Sequence, residues 1–291
     1  MSTPRRPSFP SPAIERAFSA AYDSVLELWP VPFQSIDVPS EFGTTHVHVC
    51  GPADAPPLVL LHGGGATSTV WFATVERLSR AHRVHAVDQI GDAGRSVHEG
   101  RPLRGIDDFS AWLDALLDAL GITRTALLGH SYGAWIALGY ALHAPERLSS
   151  LVLVDPTDCF VGMSAAYRLH AVPLMVRPSA RRMRELLAWE TGGAPLEPRW
   201  LELVGLAAGE VRGSRLVLPR RFPAARLRAC PVLTLQVLAG RSRAVDTERA
   251  AAAADRVMPG VVTEVLSEAT HHTLPTQDAD RLTEIVLRHL R

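Results

Sequence analysis

Apolar runs alternate with helically spaced stretches through most of the chain. Residues 13–29 place Ile14, Phe18, Tyr22, Val25 and Leu26 on one stripe at the helical period, and Pro30 and Pro32 end that helix. Strands are predicted over 33–38 and, by alternation, over 44–50, with a turn over 51–57. Residues 58–61 are continuously apolar, as in a strand buried on both faces of a parallel sheet. This run opens into His62-Gly63-Gly64-Gly65, then a helical stretch to about Ala81, a strand over 84–87, and Asp88 with the loop Gly91-Asp92-Ala93-Gly94-Arg95-Ser96. From Asp107 the helical period is clean (Phe109, Trp112, Leu113, Leu116, Leu117, Leu120) until Gly121 stops it. An apolar run over 125–128 then ends at Gly129-His130-Ser131-Tyr132-Gly133, a helix follows over 133–143, and another apolar strand over 151–154 ends at Asp155-Pro156.

From Leu58 onward the order is strand, helix, strand, helix, with short connections, which predicts an α/β fold with a doubly wound, mostly parallel sheet. Counting the two earlier strands, 151–154 is the sixth. The alternation breaks over 156–228, where short helices are expected: Ser179 caps 180–189, Gly192-Gly193 stop it, and another helix spans 198–208. Strands over 232–238 and 261–266 and helices over 247–257 and 278–290 resume the pattern. The expected organisation is a core of 1–155 and 229–291, with residues 1–12 flexible, interrupted after the sixth strand by a helical cap, 156–228.

Charge narrows the partners. The 291 residues include 30 basic and 30 acidic ones, so no net field favours nucleic acid. The twelve arginines of 156–228, against six acids, read as a solvated helix face. Three cysteines (Cys50, Cys159, Cys230) fit neither a disulfide framework nor a zinc site, and the expectation is a reducing cytoplasm. The N-terminal segment lacks the apolar stretch of a secretory signal, and no run reaches the ~18 residues of a membrane span. Nothing in the sequence fixes an oligomeric state.

The chemistry centres on Ser131. A serine on a tight strand-to-helix turn projects its hydroxyl from the sheet edge, and the turn leaves the Tyr132 N–H at a helix N-terminus, facing a developing oxyanion. A serine needs a base, and of the twelve histidines the pair His271-His272 follows the last strand, at the sheet edge where a parallel fold gathers its active groups. His62 reads as a structural hydrogen-bonder, His130 as a packing residue, and His46 with His48 as strand neighbours and not a metal site.

Together these motifs resemble the α/β-hydrolase fold superfamily over about Thr44 to Arg291. His62-Gly63-Gly64-Gly65 is similar to its oxyanion loop, 129–133 to its nucleophile elbow, Asp88 with 91–96 to its D-x-x-G-x-G-x-S loop (one residue longer between the glycines), and Ala269-Thr270-His271-His272-Thr273-Leu274-Pro275 to its histidine loop. Setting Leu274-Pro275 against the family pattern makes His272 the base and puts His271 on the loop surface. Gly64, directly after His62-Gly63, becomes the second oxyanion donor. The N-terminal helix and 61–68 are similar to bacterial carboxylesterases used on bulky aryl-propionate esters. One departure stands out: Gly240-Arg241-Ser242-Arg243 puts arginine where the family usually has its acid. Asp155, at the end of the sixth strand, is the first candidate for that acid, with Arg243 expected to pair with it. Asp246 is the second, although Asp246-Thr247-Glu248 also reads as a helix N-cap, and a bare Ser–His pair is the third.

The function implied is a cofactor-free, metal-free serine esterase that forms an acyl-enzyme on small to medium apolar esters. Gly65, Trp200 and Leu174, together with Leu201, Val204 and Met175, are expected at the pocket. The same parts also serve C–C bond hydrolases, cofactor-free lyases and haloperoxidase-like enzymes, and a non-catalytic binding protein with a decayed triad is the alternative from another class.

Overall fold

The computed structural model describes residues 9–211 and 217–291. The segment expected to be flexible, 1–12, falls mostly outside them; within them Ser11 already caps the first helix, its hydroxyl accepting the Ile14 N–H at 3.3 Å. That helix is α1 (Pro12–Leu26), and two antiparallel strands follow, β1 (Gln34–Ser40) and β2 (Gly43–Cys50). The parallel part comprises β3 (Pro57–Leu61), β4 (Arg83–Val87), β6 (Thr125–His130), β7 (Leu148–Val154), β8 (Thr234–Ala239) and β9 (Val262–Leu266). A two-residue strand, β5 (Val97–His98), pairs with β2 and is too short to leave a period in the sequence, so the strand expected as sixth is the seventh.

The sheet runs β1-β2-β4-β3-β6-β7-β8-β9. Chain order reverses across β3 and β6, and the crevice at their carboxyl ends is where an open α/β sheet binds its ligands. Helices α2 (Val75–Ser79), α3 (Ile106–Ala119), α4 (Tyr132–His143), α9 (Thr247–Val257) and α10 (Ala279–His289) connect the strands. The single helix expected after the glycine loop is instead a 3-10 turn over Ser68–Ala73 followed by the short α2. The Asp88 carboxylate takes both the N–H and the hydroxyl of Ser68, at 2.7 and 2.6 Å, and pins the start of that turn.

Between β7 and β8 lie α5 (Ala165–Val176), α6 (Ala180–Glu190), α7 (Pro198–Glu210) and α8 (Ala224–Arg228). Leu187, Trp200, Leu203 and Val204 of this segment share a buried cluster with Phe18, Tyr22 and Val25 of α1, so the N-terminal helix and α7 pack as one layer. Beneath it His48 and His46 do share a face, with rings 4.8 Å apart. Three of their four nitrogens are taken up locally, both of His48 by Tyr22 and Ser35, at 2.8 and 2.9 Å, and His46 Nδ1 by Asp37 at 2.6 Å, while His46 Nε2 is buried without a hydrogen-bond partner. No cluster of metal-ligating side chains occurs among the described residues.

Candidate active site

The turn from β6 to α4 concentrates its strain on one residue. Ser131 sits at φ 53°, ψ −114°, and its N–H donates to the Val154 carbonyl at 3.0 Å, which ties it to the end of β7. The flanking glycines matter for a different reason: neither lies in the left-handed region, and both are needed because backbones converge there. A Cβ on Gly129 would stand 2.2 Å from the Gly133 carbonyl oxygen, and one on Gly133 would stand 2.4 Å from the oxygens of Leu61 and His62. Only bare backbone lets α4 start against the ends of β3 and β6.

The imidazole that meets Ser131 is that of His271. Its Nε2 lies 2.9 Å from Ser131 Oγ, and its Nδ1–H donates to Asp155 Oδ2 at 2.6 Å. This corrects the expectation for both histidines. His272 turns away and donates from Nδ1 to Glu190 Oε2 at 2.9 Å. The loop after β9 closes as a helical turn, with Leu274 N–H on the Thr270 carbonyl at 3.1 Å and the Thr270 N–H on Thr273 Oγ1 at 2.8 Å. Neighbours on such a turn point about 100° apart, so one residue of register decides which ring reaches the serine.

Asp155 lies directly beyond β7, at φ 38°, fully buried. Besides His271 it accepts the Ala239 N–H at 3.0 Å on Oδ1 and the Ser242 hydroxyl at 2.7 Å on Oδ2. The expected pairing with Arg243 does not form. Arg243 instead donates to the Trp189 carbonyl at 2.6 Å and stacks over that indole at 5.1 Å. Asp246 caps α9, accepting the Arg249 N–H at 3.0 Å, and stands apart from the histidines.

Electrostatics follow the geometry. Burial opposes the charged form of His271, yet the hydrogen bond and charge of Asp155, with the charge of Glu190, raise its pKa above 6.5. Burial, assisted by the two neighbouring imidazoles, pushes His130 far below its ordinary value. As a neutral ring, His130 donates from Nε2 to the His271 carbonyl at 3.0 Å, more a brace for the histidine loop than a packing residue. His62, also buried, bridges the Gly63 carbonyl (2.8 Å) and the Gln89 N–H (3.0 Å), in the structural role expected of it.

A cleft of about 520 Å³, part of it open to solvent, lies over Ser131. Gly63, Gly64 and Gly65 form one edge with Ser131 and His271, while Tyr167, Met183, Leu187, Trp200 and Val204 of the helical segment form the apolar wall. The Gly65 N–H is bound to Asp92 Oδ2 at 2.9 Å, and Gly64 is exposed on the cleft. Tyr132 opens α4, its hydroxyl donating to the Val217 carbonyl at 3.0 Å. Leu174 is not part of the wall: it lies two turns, about 10 Å, along α5 from Tyr167, half-buried against the cluster that Tyr167 forms with Leu186, Leu238 and Val245. Met175 is 72% exposed, and Leu201 packs at the rim of the main core.

Sequence reasoning missed Glu190. One signal was present, though not specific to it: a carboxylate in the last turn of a helix opposes the helix dipole, as Glu210 at the end of α7 also does.

A model of the alpha/beta hydrolase fold matches residues 56–191. An uncharacterized carboxylesterase, nap, of Bacillus subtilis (strain 168) is 30% identical over 275 residues, 92% of this chain and 90% of its own length. Carboxylesterase YbfK of the same organism is 29% identical over 262 residues, 87% of each chain. The crystal structure of naproxen esterase (carboxylesterase NP) from Bacillus subtilis superposes with a TM-score of 0.88 at 30% identity, covering 96% of this chain and 98% of that one. The chain belongs to the alpha/beta hydrolase fold family. Within that family it resembles the bacterial carboxylesterases along nearly its whole length.

Proposed function

We propose that this protein hydrolyses carboxylic esters of small to medium apolar substrates through an acyl-enzyme on Ser131, with His271 as base and Asp155 as the acid behind it. The observation that carries this reading is the continuous chain of contacts at the cleft floor: Ser131 Oγ to His271 Nε2, 2.9 Å, and His271 Nδ1 to Asp155, 2.6 Å. With Nδ1–H committed to Asp155, Nε2 presents its lone pair to the serine hydroxyl. As Ser131 Oγ bonds to the ester carbonyl carbon, its proton passes to Nε2, and the resulting imidazolium lies against Asp155. The carbonyl oxygen takes the negative charge and meets the N–H groups of Gly64 and Tyr132, each worth about 3 kcal/mol in comparable sites. The imidazolium returns its proton to the departing alkoxide, which leaves as the alcohol. Water then gives a proton to His271 Nε2 as its oxygen attacks the acyl carbon; the bond from that carbon to Ser131 Oγ breaks, the Nε2 proton passes to Oγ, and the acid leaves.

The helical segment 156–228 serves as a cap whose Trp200, Leu187 and Val204 receive the apolar part of the substrate. The acid missing after β8 is supplied from β7, which supports a working site over a decayed one. No helix among the described residues is long and apolar enough to cross a membrane, and three free cysteines support a reducing cytoplasm as the compartment. Hydrolysis of p-nitrophenyl acetate or butyrate, and labelling by a fluorophosphonate, should both be lost in Ser131→Ala. Labelling retained at another serine would overturn the assignment.

A further inference from the structure

Glu190 ends α6, inside the segment between β7 and β8, and its side chain is completely buried. A buried carboxylate is tolerated only when donors surround it, and here the donors come from two other segments. Oε1 accepts the main-chain N–H of His271 at 3.0 Å and that of Arg243 at 3.5 Å. Oε2 accepts the main-chain N–H of His272 at 3.2 Å and its Nδ1–H at 2.9 Å. Burial alone would raise this carboxyl; the hydrogen bond and charge of His272, then the charge and N–H of His271, hold it at about 2.

We propose that Glu190 is a positioning residue of the hydrolytic reaction, a cap-borne carboxylate that clamps the main chain of His271 so that its imidazole spans Ser131 and Asp155, and whose charge adds to that of Asp155 in stabilising the imidazolium. The inference rests on the hydrolase reading above.

The surroundings of His271 bear this out. Asp155 faces its Nδ1 and Ser131 its Nε2, and the rings of His130, His272 and Tyr167 stand 4.8, 4.9 and 6.3 Å away. None of these three supplies a charge near neutrality. Burial drives His130 far down, burial and the charge of His271 outweigh Glu190 to bring His272 down, and burial raises the Tyr167 phenol. His271 is thus held between two carboxylates, one from the core and one from the cap. Its clamp has two further consequences. Any displacement of α6 would release the histidine loop, so catalytic competence depends on the seat of the cap. Arg243, at the place where relatives of this fold usually carry their acid, helps fix that seat: its guanidinium holds the carbonyl of Trp189 and its N–H reaches Glu190.

The test uses the full-length protein with p-nitrophenyl butyrate, counting active sites by fluorophosphonate titration. Wild-type protein that neither hydrolyses nor labels would defeat the hydrolase reading itself; an active wild type isolates the present question. Glu190→Gln keeps an acceptor and removes the charge. It should lower kcat per titrated site by about tenfold or more, with KM within about threefold. Loss of the nearby negative charge lowers the pKa of His271, so the acid limb of kcat/KM should move down by about half a pH unit or more. Glu190→Asp keeps the charge on a shorter stem. Its acid limb should return to the wild-type position, while kcat stays reduced because the carboxylate no longer reaches both main-chain donors. Wild-type kcat and acid limb in Glu190→Gln would overturn the proposal, as would a loss explained wholly by fewer titrated sites with an unmoved limb. Should Glu190→Gln fail to fold, Glu190→Asp decides: reduced kcat with an unmoved limb supports the clamp, and full kcat refutes it.

Discussion

Replacing Asp155 by Asn removes one charge and turns one acceptor into a donor, in a place where the structure leaves no room for either. Oδ2 receives two donors, from His271 and Ser242, and Oδ1 one, the Ala239 N–H. If the new amide group faces Ala239, two donors meet at about 3 Å in the interior, which costs about 1–3 kcal/mol of stability. If it faces His271, the imidazole must offer Nδ1 as an acceptor, and its proton moves to Nε2, where it can no longer accept from Ser131. In both orientations the imidazolium loses the charge against it. The comparable change in serine proteases lowers kcat about 10⁴-fold, about 5.5 kcal/mol, and the same order is expected here. KM for p-nitrophenyl butyrate should change little, because the lost interaction belongs to the transition state. Asp246→Asn is the control: Asn caps helices as well as Asp does, so it should cost less than about 1 kcal/mol and leave kcat unchanged. Activity of Asp155→Asn within tenfold of wild type would refute the reasoning and favour a bare Ser–His pair.

Three further outcomes follow from the same structure. His271 acts as a base only when neutral, and its pKa is raised above 6.5, so kcat/KM should fall as pH drops through a value above 6.5; an acid limb centred below 6 would contradict its pairing with Asp155. The same raised pKa contributes stability that is full below 6.5 and lost as pH rises through the folded value, whereas Glu190, held at about 2, contributes stability that is full above 4.5 and lost toward pH 2. Gly133→Ala forces a methyl group to 2.4 Å from two carbonyl oxygens of the β3 end. The strain is expected to cost about 3 kcal/mol or more, read as a lowered Tm together with lost activity; an unchanged Tm would show that α4 can move away freely.

The one-dimensional pattern determined a great deal of this molecule. Short, mostly apolar runs such as 58–61 and 151–154, separated by helical periods, read as parallel strands buried between helices, and that placed most strands of the sheet and Ser131 on its turn. The position of Asp155 directly after a buried strand was legible for the same reason, since strand ends gather at one edge. What the sequence left open is what depends on direction. His271 and His272 are adjacent and chemically identical, and a helical turn of the loop, fixed by Thr270 and Thr273, sends one to Ser131 and the other to Glu190. Leu174 and Trp200 were equal as apolar cap residues until packing put one beyond the cleft and the other on its wall. Arg243 looked like a partner for Asp155 by charge, but Ser242, one residue earlier, has the reach and direction. Glu190 is 81 residues from His271 in the chain, and no local pattern joins them. Periodicity records which face of an element is buried, but only the folded backbone decides which buried groups point at one another.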